Sequence, residues 1–103
     1  MSYTVDVFQV TVNEFRTGHD VVGTDAQVLT KDGDGNPIGY PAKKYIKVKA
    51  DLSNGDNVFV GHEGFADGYL LDAGEEVEIP VSSTDKVWVK ADASEQGYSW
   101  MAV

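Results

Sequence analysis

Hydrophobic and polar residues alternate along most of this chain with the two-residue period of a β-strand. The alternation is clearest over residues 44–52. One predicted face consists of Ile46, Val48, Ala50 and Leu52, and the other consists of Tyr45, Lys47, Lys49 and Asp51. No stretch of comparable apolar content repeats with the spacing of a helix face. The pattern therefore predicts seven or eight short strands, with strands at residues 4–12, 24–31, 44–52, 58–61, 75–81, 86–91 and 97–103.

Turn-forming residues separate the predicted strands. A glycine-rich loop, KDGDGNPIG, reverses the chain after residues 24–31. The segment SNGDN at 53–57 contains Asn-Gly, whose residues readily accept a positive φ, so it is a strong hairpin signal. We therefore expect residues 44–61 to form a β-hairpin.

Short strands without intervening helices are typical of two antiparallel sheets packed face to face, or of a small barrel. Valine occurs 15 times and leucine four times, with 11 glycines, which favours β-branched strands joined by glycine turns. A length of 103 residues leaves room for one hydrophobic core. We predict an all-β fold, an antiparallel β-sandwich of jelly-roll or immunoglobulin-like type, with residues 1–103 as a single domain.

Charge and composition argue against several classes of function. The formal net charge of −9 opposes binding to phosphate backbones or anionic lipid, so we expect neither nucleic-acid nor membrane partners. The chain has no cysteine, which excludes disulfides and thiolate chemistry. The first residues include neither a basic region nor an apolar signal segment, and we therefore expect synthesis in the cytoplasm.

Residues 32–36, DGDGN, begin like a calcium-binding loop, with oxygen ligands at alternate positions. The sixth position of such a loop should be glycine and is Pro37, and the twelfth should be a bidentate glutamate and is Lys43. Asp, Gly and Asn are also common in turns for conformational reasons alone. We therefore favour a structural turn over a cation site, and we expect no cofactor.

Two His-carboxylate doublets, His19-Asp20 and His62-Glu63, are further candidates for chemistry. Adjacent residues on a strand point to opposite faces, so a zinc site would need both segments to converge. The sequence contains no HxxxH or HxH spacing, no nucleophile elbow and no phosphate-cradling glycine loop. We interpret the histidines as solvated loop residues, and we expect no metal site, no catalytic residues and no enzymatic activity.

Three aromatic residues lie on strand faces that are otherwise polar. Alternation over residues 86–91 places Trp88 on the lysine face, and the same parity places Phe59 and Tyr45 on the polar faces of their strands. Four interpretations of such rings are open. They are ordinary surface residues covered by lysine stems, or their parity is shifted by a β-bulge. Alternatively they form an interface with another protein, or a platform on which sugar rings stack. Among the functional alternatives we favour Trp88, Phe59 and Tyr45 as an interface with another subunit or a partner.

From residue 45 onward the chain resembles a small β-domain that is frequent among the virion structural proteins of tailed bacteriophages. The resemblance covers a little over half of the chain. It is carried by an alanine-ended strand and polar turn (50–54), an aromatic V-x-V-G strand (58–61), GYLL followed by GEEV (68–77), a K-V-aromatic-V strand (86–89) and a terminal S-W-M (99–101).

This resemblance implies a non-catalytic component of the virion surface. The specific expectation is a capsid decoration, or cement, protein that binds the major capsid protein on the outside of the head, commonly as a homotrimer. The alternative is a receptor- or carbohydrate-binding module on the virion surface or tail. A small metal-dependent enzyme is a third class, and it lacks a catalytic constellation in this sequence.

Replacing Val48 with aspartate tests the face assigned to the strand with the cleanest alternation. We expect Val48→Asp to place an unpaired charge in the core, to destabilise the fold by several kcal/mol and to prevent soluble folding. Circular dichroism and thermal denaturation provide the measurement. A soluble variant with normal thermal stability would contradict the face assignment.

Overall fold

The described residues of this computed structural model are 15–63 and 68–103, and they form eight β-strands and one short 3-10 helix. The helix, Thr84–Lys86, lies between the sixth and seventh strands. The strands are β1 (Arg16–Val22), β2 (Gln27–Val28), β3 (Ile46–Ala50), β4 (Val58–Gly61), β5 (Tyr69–Leu71), β6 (Glu76–Ile79), β7 (Trp88–Ala91) and β8 (Gln96–Ala102).

The strands pair into two four-stranded antiparallel sheets that enclose one core. Sheet 1 has the strand order β1-β8-β3-β6, and sheet 2 has the order β2-β7-β4-β5. Every connection except β4–β5 crosses from one sheet to the other, which is the jelly-roll arrangement. The predicted all-β antiparallel sandwich is therefore confirmed. Of the two predicted types, jelly roll and immunoglobulin-like, the strand order is that of the jelly roll.

Four of these crossing connections meet at one end of the sandwich, which we call the loop end. They are residues 23–26, 51–57, 72–75 and 92–95. They meet because antiparallel pairing places the end of β1 beside the start of β8, and the end of β3 beside the starts of both β8 and β6.

Most predicted strands occur close to their expected positions. Those at 44–52, 58–61, 75–81, 86–91 and 97–103 correspond to β3, β4, β6, β7 and β8. The prediction at residues 4–12 lies outside the described residues. Of residues 24–31, only β2 is regular strand, because the chain turns after it and Lys31 bridges back to Pro37.

Two of the observed strands, β1 and β5, were not predicted. The β1 sequence includes Gly18, His19 and Asp20, so it lacks the apolar alternation that marks a strand. Pairing with β8 along all seven residues holds it in place instead. The β5 strand has three residues, too few to show a period, and only Leu71 among them is buried.

The predicted hairpin over residues 44–61 is wrong. β3 pairs with β6 and β8 in sheet 1, whereas β4 pairs with β5 and β7 in sheet 2. The connection is pinned to β8 by Asn54, whose amide nitrogen donates to the Gly97 carbonyl at 2.9 Å and whose amide oxygen accepts from the Gly97 N–H at 2.8 Å. Crossing between sheets lets each strand bury its apolar face against the other sheet, which an isolated hairpin does not provide.

The inner faces of the two sheets supply the hydrophobic core. Ile46, Val48 and Ala50 are fully buried, which confirms the face predicted for these residues of β3. The prediction for Leu52 on the same face is wrong, because β3 ends at Ala50 and Leu52 lies in the following connection, 82% exposed. The core cluster consists of Val22, Leu29, Ala42, Ile46, Val48, Ala50, Val58, Val60, Leu71, Val87, Val89, Ala91, Tyr98, Trp100 and Ala102.

An aromatic stack covers the β1 side of this core. The Trp100 indole is 8% exposed and lies over Gly18, where a Cβ atom would come within 2.5 Å of the indole Nε1. Tyr40 stacks on Trp100 with 5.5 Å between ring centroids, and the Arg16 guanidinium lies 4.9 Å from the Tyr40 centroid. Only glycine therefore fits at position 18 without displacing the stack.

Tyr98 is the largest fully buried side chain. Its hydroxyl donates to the Leu29 carbonyl at 2.7 Å and accepts from the Gln27 amide at 3.3 Å. Burial raises the pKa of Tyr98 to about 12; the charge of Asp20 acts in the same direction and the Gln27 hydrogen bond in the opposite one. The folded chain thus favours the neutral phenol.

The raised pKa of Tyr98 makes stability depend on alkaline pH. An unfolded tyrosine loses its proton near pH 10, whereas folded Tyr98 keeps it up to about pH 12. Its stabilising contribution is therefore complete below pH 10 and is lost as the pH rises to 12, at up to about 1.4 kcal/mol per pH unit. Urea denaturation across this range measures the loss. Tyr98→Phe should remove that part of the profile, and an unchanged slope in the variant would contradict the assignment.

Candidate functional site

Phe59 and Trp88 lie on the outer face of sheet 2, as side-chain parity predicted. Both alternate with buried residues along their strands, and both rings are half-buried. The β4–β7 register places Phe59 opposite Lys90 and Trp88 opposite Gly61. The two rings are therefore diagonal neighbours, within reach of each other across the strand pair.

Leu70 extends this surface onto β5. It lies directly opposite Phe59 and is 43% exposed. Sequence reasoning missed it because β5 itself was not recognised. We call Phe59, Leu70, Trp88 and Lys90 the sheet 2 patch, an apolar surface with one cation beside it.

Trp88 also faces β2 and a cleft. Val28 lies opposite Trp88 and is only 4% exposed, although it lies outside the main core cluster. Trp88 also forms one wall of a cleft of about 480 Å³, lined further by Pro37, His62, Glu63, Asp85 and Lys86. Trp88 thus lies between strand β2 and an open cleft.

Tyr45 does not join the other two predicted interface residues. It immediately precedes β3 in sheet 1, and its backbone exchanges two hydrogen bonds with Val103. Alternation with buried Ile46 directs the half-buried Tyr45 ring to the outside of sheet 1. The outer faces of the two sheets point away from each other, so the three aromatic residues do not form one surface.

Lys86 was predicted to begin the strand at residues 86–91 but lies outside it. It ends the 3-10 helix, and β7 begins two residues later at Trp88. Lys90 is therefore the lysine that shares the strand face with the aromatic rings, while Lys86 lines the cleft beside Trp88.

The two histidines occupy different kinds of position. The interpretation of His19 as a loop residue is wrong, because it lies in β1 with its Nε2 atom 2.7 Å from Oδ2 of Asp51. Gly97 lies beneath this pair, and a Cβ atom there would collide with the Asp51 carboxylate. His62 is an exposed bend residue whose Nδ1 lies 3.0 Å from the Glu63 carbonyl oxygen. Within residues 15–63 and 68–103, no three His, Cys, Asp or Glu side chains are grouped to hold a metal.

The 32–36 loop is a hydrogen-bonded turn. One carboxylate oxygen of Asp32 accepts from the backbone N–H of Asp34 at 2.9 Å and of Asn36 at 3.0 Å. The Asp32 N–H donates to the Asn36 carbonyl, and Gly35 adopts a positive φ of 85°. The residues that suggested a calcium loop are thus used to close the turn itself.

A second candidate surface, which sequence reasoning did not identify, is a cleft of about 500 Å³ on the outer face of sheet 1. We call it the sheet 1 cleft. The parity of β3 did predict that its two lysines face outward, but the strand that supplies the opposite wall, β1, was not predicted. Its lining residues are Thr17, Gly18, His19, Lys47, Lys49, Glu76, Ser99, Trp100 and Met101.

Charge is distributed unevenly along the sandwich. The four connections at the loop end contain no Lys or Arg. Their seven carboxylates are those of Asp25, Asp51, Asp56, Asp72, Glu75, Asp92 and Glu95. Much of the net charge of −9 is therefore concentrated at one end of the molecule, away from the Trp88 end of β7.

Comparisons of the chain with protein-family models, with curated proteins and with solved structures find no match. In the part of the chain that the structure describes, no helix is long and apolar enough to cross a membrane.

The turn at residues 32–36 predicts that chelation and mutation have different effects. EDTA should leave the melting temperature unchanged, whereas Asp32→Ala should lower stability by about 1 kcal/mol because two backbone N–H groups lose their acceptor. Differential scanning calorimetry measures both. A fall in melting temperature with EDTA that calcium restores would contradict the structural-turn interpretation.

Proposed function

We propose that this chain is a non-catalytic virion structural protein, a capsid decoration (cement) protein that binds the major capsid protein on the outer surface of a phage head. Two independent lines support the proposal. One is the resemblance of residues 45–103 to a domain of tailed-phage virion proteins, and the other is the sheet 2 patch. The patch carries the structural part of the argument, because aromatic side chains outside the core bury a large area at low entropic cost when they meet a partner.

The architecture suits such a role. The jelly roll recurs among viral capsid domains, although a fold by itself does not define a function. A capsid offers many identical copies of a shallow site, so a small domain gains occupancy through multivalent arrangement and self-association. In the proposed arrangement the protein forms homotrimers whose contacts with each other and with the capsid include the sheet 2 patch.

A receptor- or carbohydrate-binding module remains the second candidate. The observation that favours it is the sheet 1 cleft, whose volume of about 500 Å³ lies in the range of about 300–1,000 Å³ typical of ligand sites. The two functions use opposite faces of the sandwich and are therefore compatible in one protein.

Alanine substitution of Trp88 tests the proposed contact surface. We expect Trp88→Ala to remain folded and soluble while losing on the order of 2 kcal/mol or more of association free energy. Binding to purified capsids that lack the protein, together with sedimentation velocity, measures this loss.

Tyr45→Ala is the matched control, because it removes a half-buried aromatic ring from the outside of the opposite sheet. It should leave assembly and capsid occupancy unchanged. Unchanged occupancy in a folded Trp88→Ala protein would remove the sheet 2 patch from the contact, and loss of occupancy in Tyr45→Ala alone would transfer the contact to sheet 1.

A further inference from the structure

We infer that the sheet 1 cleft binds an acidic saccharide, a hydroxyl-rich ligand that carries a carboxylate. The cleft extends across all four strands of sheet 1 and contains outward-facing side chains from each of them. Its volume of about 500 Å³ is that of a small-ligand site.

The charges in the cleft indicate a ligand with a negative group. The Lys47 ammonium lies 3.3 Å from Glu76 and 3.5 Å from Glu78, and the Glu76 hydrogen bond raises the pKa of Lys47 above its usual range. His19 is engaged by Asp51. Lys49 lies opposite Glu76 in the register, yet no described carboxylate comes within 4.0 Å of its ammonium. Within the described residues, Lys49 is therefore the cation of the cleft that no carboxylate neutralises by direct contact.

The other lining groups indicate hydroxyls. His19, Ser99, Lys49 and Glu76 form one row across β1, β8, β3 and β6, because each is paired with the next in the strand registers. Three strand spacings of about 4.8 Å make this row roughly 14 Å long, enough for more than one sugar ring. The row contains a donor in Lys49, an acceptor in Glu76 and a hydroxyl in Ser99 that both donates and accepts, and hydroxyl groups of a ligand can pair with all three.

The next row adds an apolar contact. Thr17 pairs with Met101, which pairs with Lys47. The half-buried Met101 side chain lies between two polar neighbours and offers a flexible, polarisable surface to the C–H face of a sugar ring.

The strands that carry the lining groups are fixed relative to one another before any ligand arrives. Lys49 and Ser99 lie on β3 and β8, the two central strands of the sheet. The His19–Asp51 pair passes over Gly97 and ties β1 to the β3–β4 connection. Strand pairing therefore fixes the backbone beneath these side chains, whereas the exposed Lys49 side chain loses its rotamer freedom on binding.

The cleft lies on the sheet opposite the sheet 2 patch, so it stays open when the protein is docked through sheet 2. This inference rests on the second candidate function, the carbohydrate-binding module, and is independent of the proposed capsid contact. A capsid-binding experiment and a saccharide-binding experiment can therefore succeed or fail separately.

The test is an NMR titration of the ¹⁵N-labelled full chain with tetragalacturonate. We expect amide shifts centred on Thr17, His19, Lys49, Ser99 and Met101, and much weaker shifts with maltotetraose, which has the hydroxyls without the carboxylates. Galacturonate monomer distinguishes a free sugar acid from a segment of polymer, and binding of either form supports the inference. Equal affinity for maltotetraose would overturn the acidic specificity, and equal affinity for tetraglutamate would overturn the saccharide.

Lys49→Met removes the unneutralised charge and keeps most of the apolar stem. It should weaken tetragalacturonate binding by about tenfold or more without lowering the melting temperature, because the side chain is exposed. Lys86→Met is the matched control, since it changes the net charge equally outside the cleft and should bind like the parent chain. An absence of shifts, shifts located elsewhere, or equal weakening in both variants would overturn the inference.

Discussion

Strand β8 is the element on which the rest of the sandwich depends. It is paired on both sides, with β1 along seven residues and with β3 along five. Its inner face carries Tyr98 and Trp100, the two largest core side chains, and its first residues anchor the connection between the sheets through Gly97. A shift of one residue in its register would turn both rings outward and bring polar side chains into the core.

Glycine fixes this register at two points, each for a steric reason. Gly18 leaves the space that the Trp100 indole occupies, and Gly97 leaves the space through which Asp51 reaches His19. These two contacts lie on opposite faces of sheet 1. The same strand pairing therefore determines both the packing of the core and the shape of the outer cleft.

Alternation in the sequence was sufficient to predict the strand faces, because burial on one side of a sheet imposes a strict period of two. Val48 and Trp88 were both placed on the correct face for this reason. Alternation carries no information on which strands become neighbours. The Asn-Gly signal therefore suggested a local hairpin, whereas burial of both apolar faces required β3 and β4 to lie in different sheets.

The same limit applies to the candidate surfaces: the face that a side chain occupies could be predicted, whereas the neighbours of its strand could not. Phe59 and Trp88 could be predicted as outward-facing, but grouping them with Tyr45 required knowledge of the sheet to which each strand belongs. Leu70 and the β1 wall of the sheet 1 cleft were missed because β5 is too short, and β1 too polar, to show a period. Sites that assemble across strands depend on pairing partners, which one sequence does not reveal.

The distribution of charge limits how copies of this chain can meet. Contact between two loop ends would bring two sets of seven carboxylates together without a Lys or Arg in those connections to compensate them. Exposed charges interact weakly beyond about 8 Å at physiological salt, so this repulsion acts mainly in direct contact. Close packing of copies is therefore favoured through the sheet faces, where sheet 2 offers an apolar patch beside a single lysine. At the loop end the exposed apolar side chain of Leu52 is surrounded by these carboxylates, so the charge density disfavours end-to-end association of copies there.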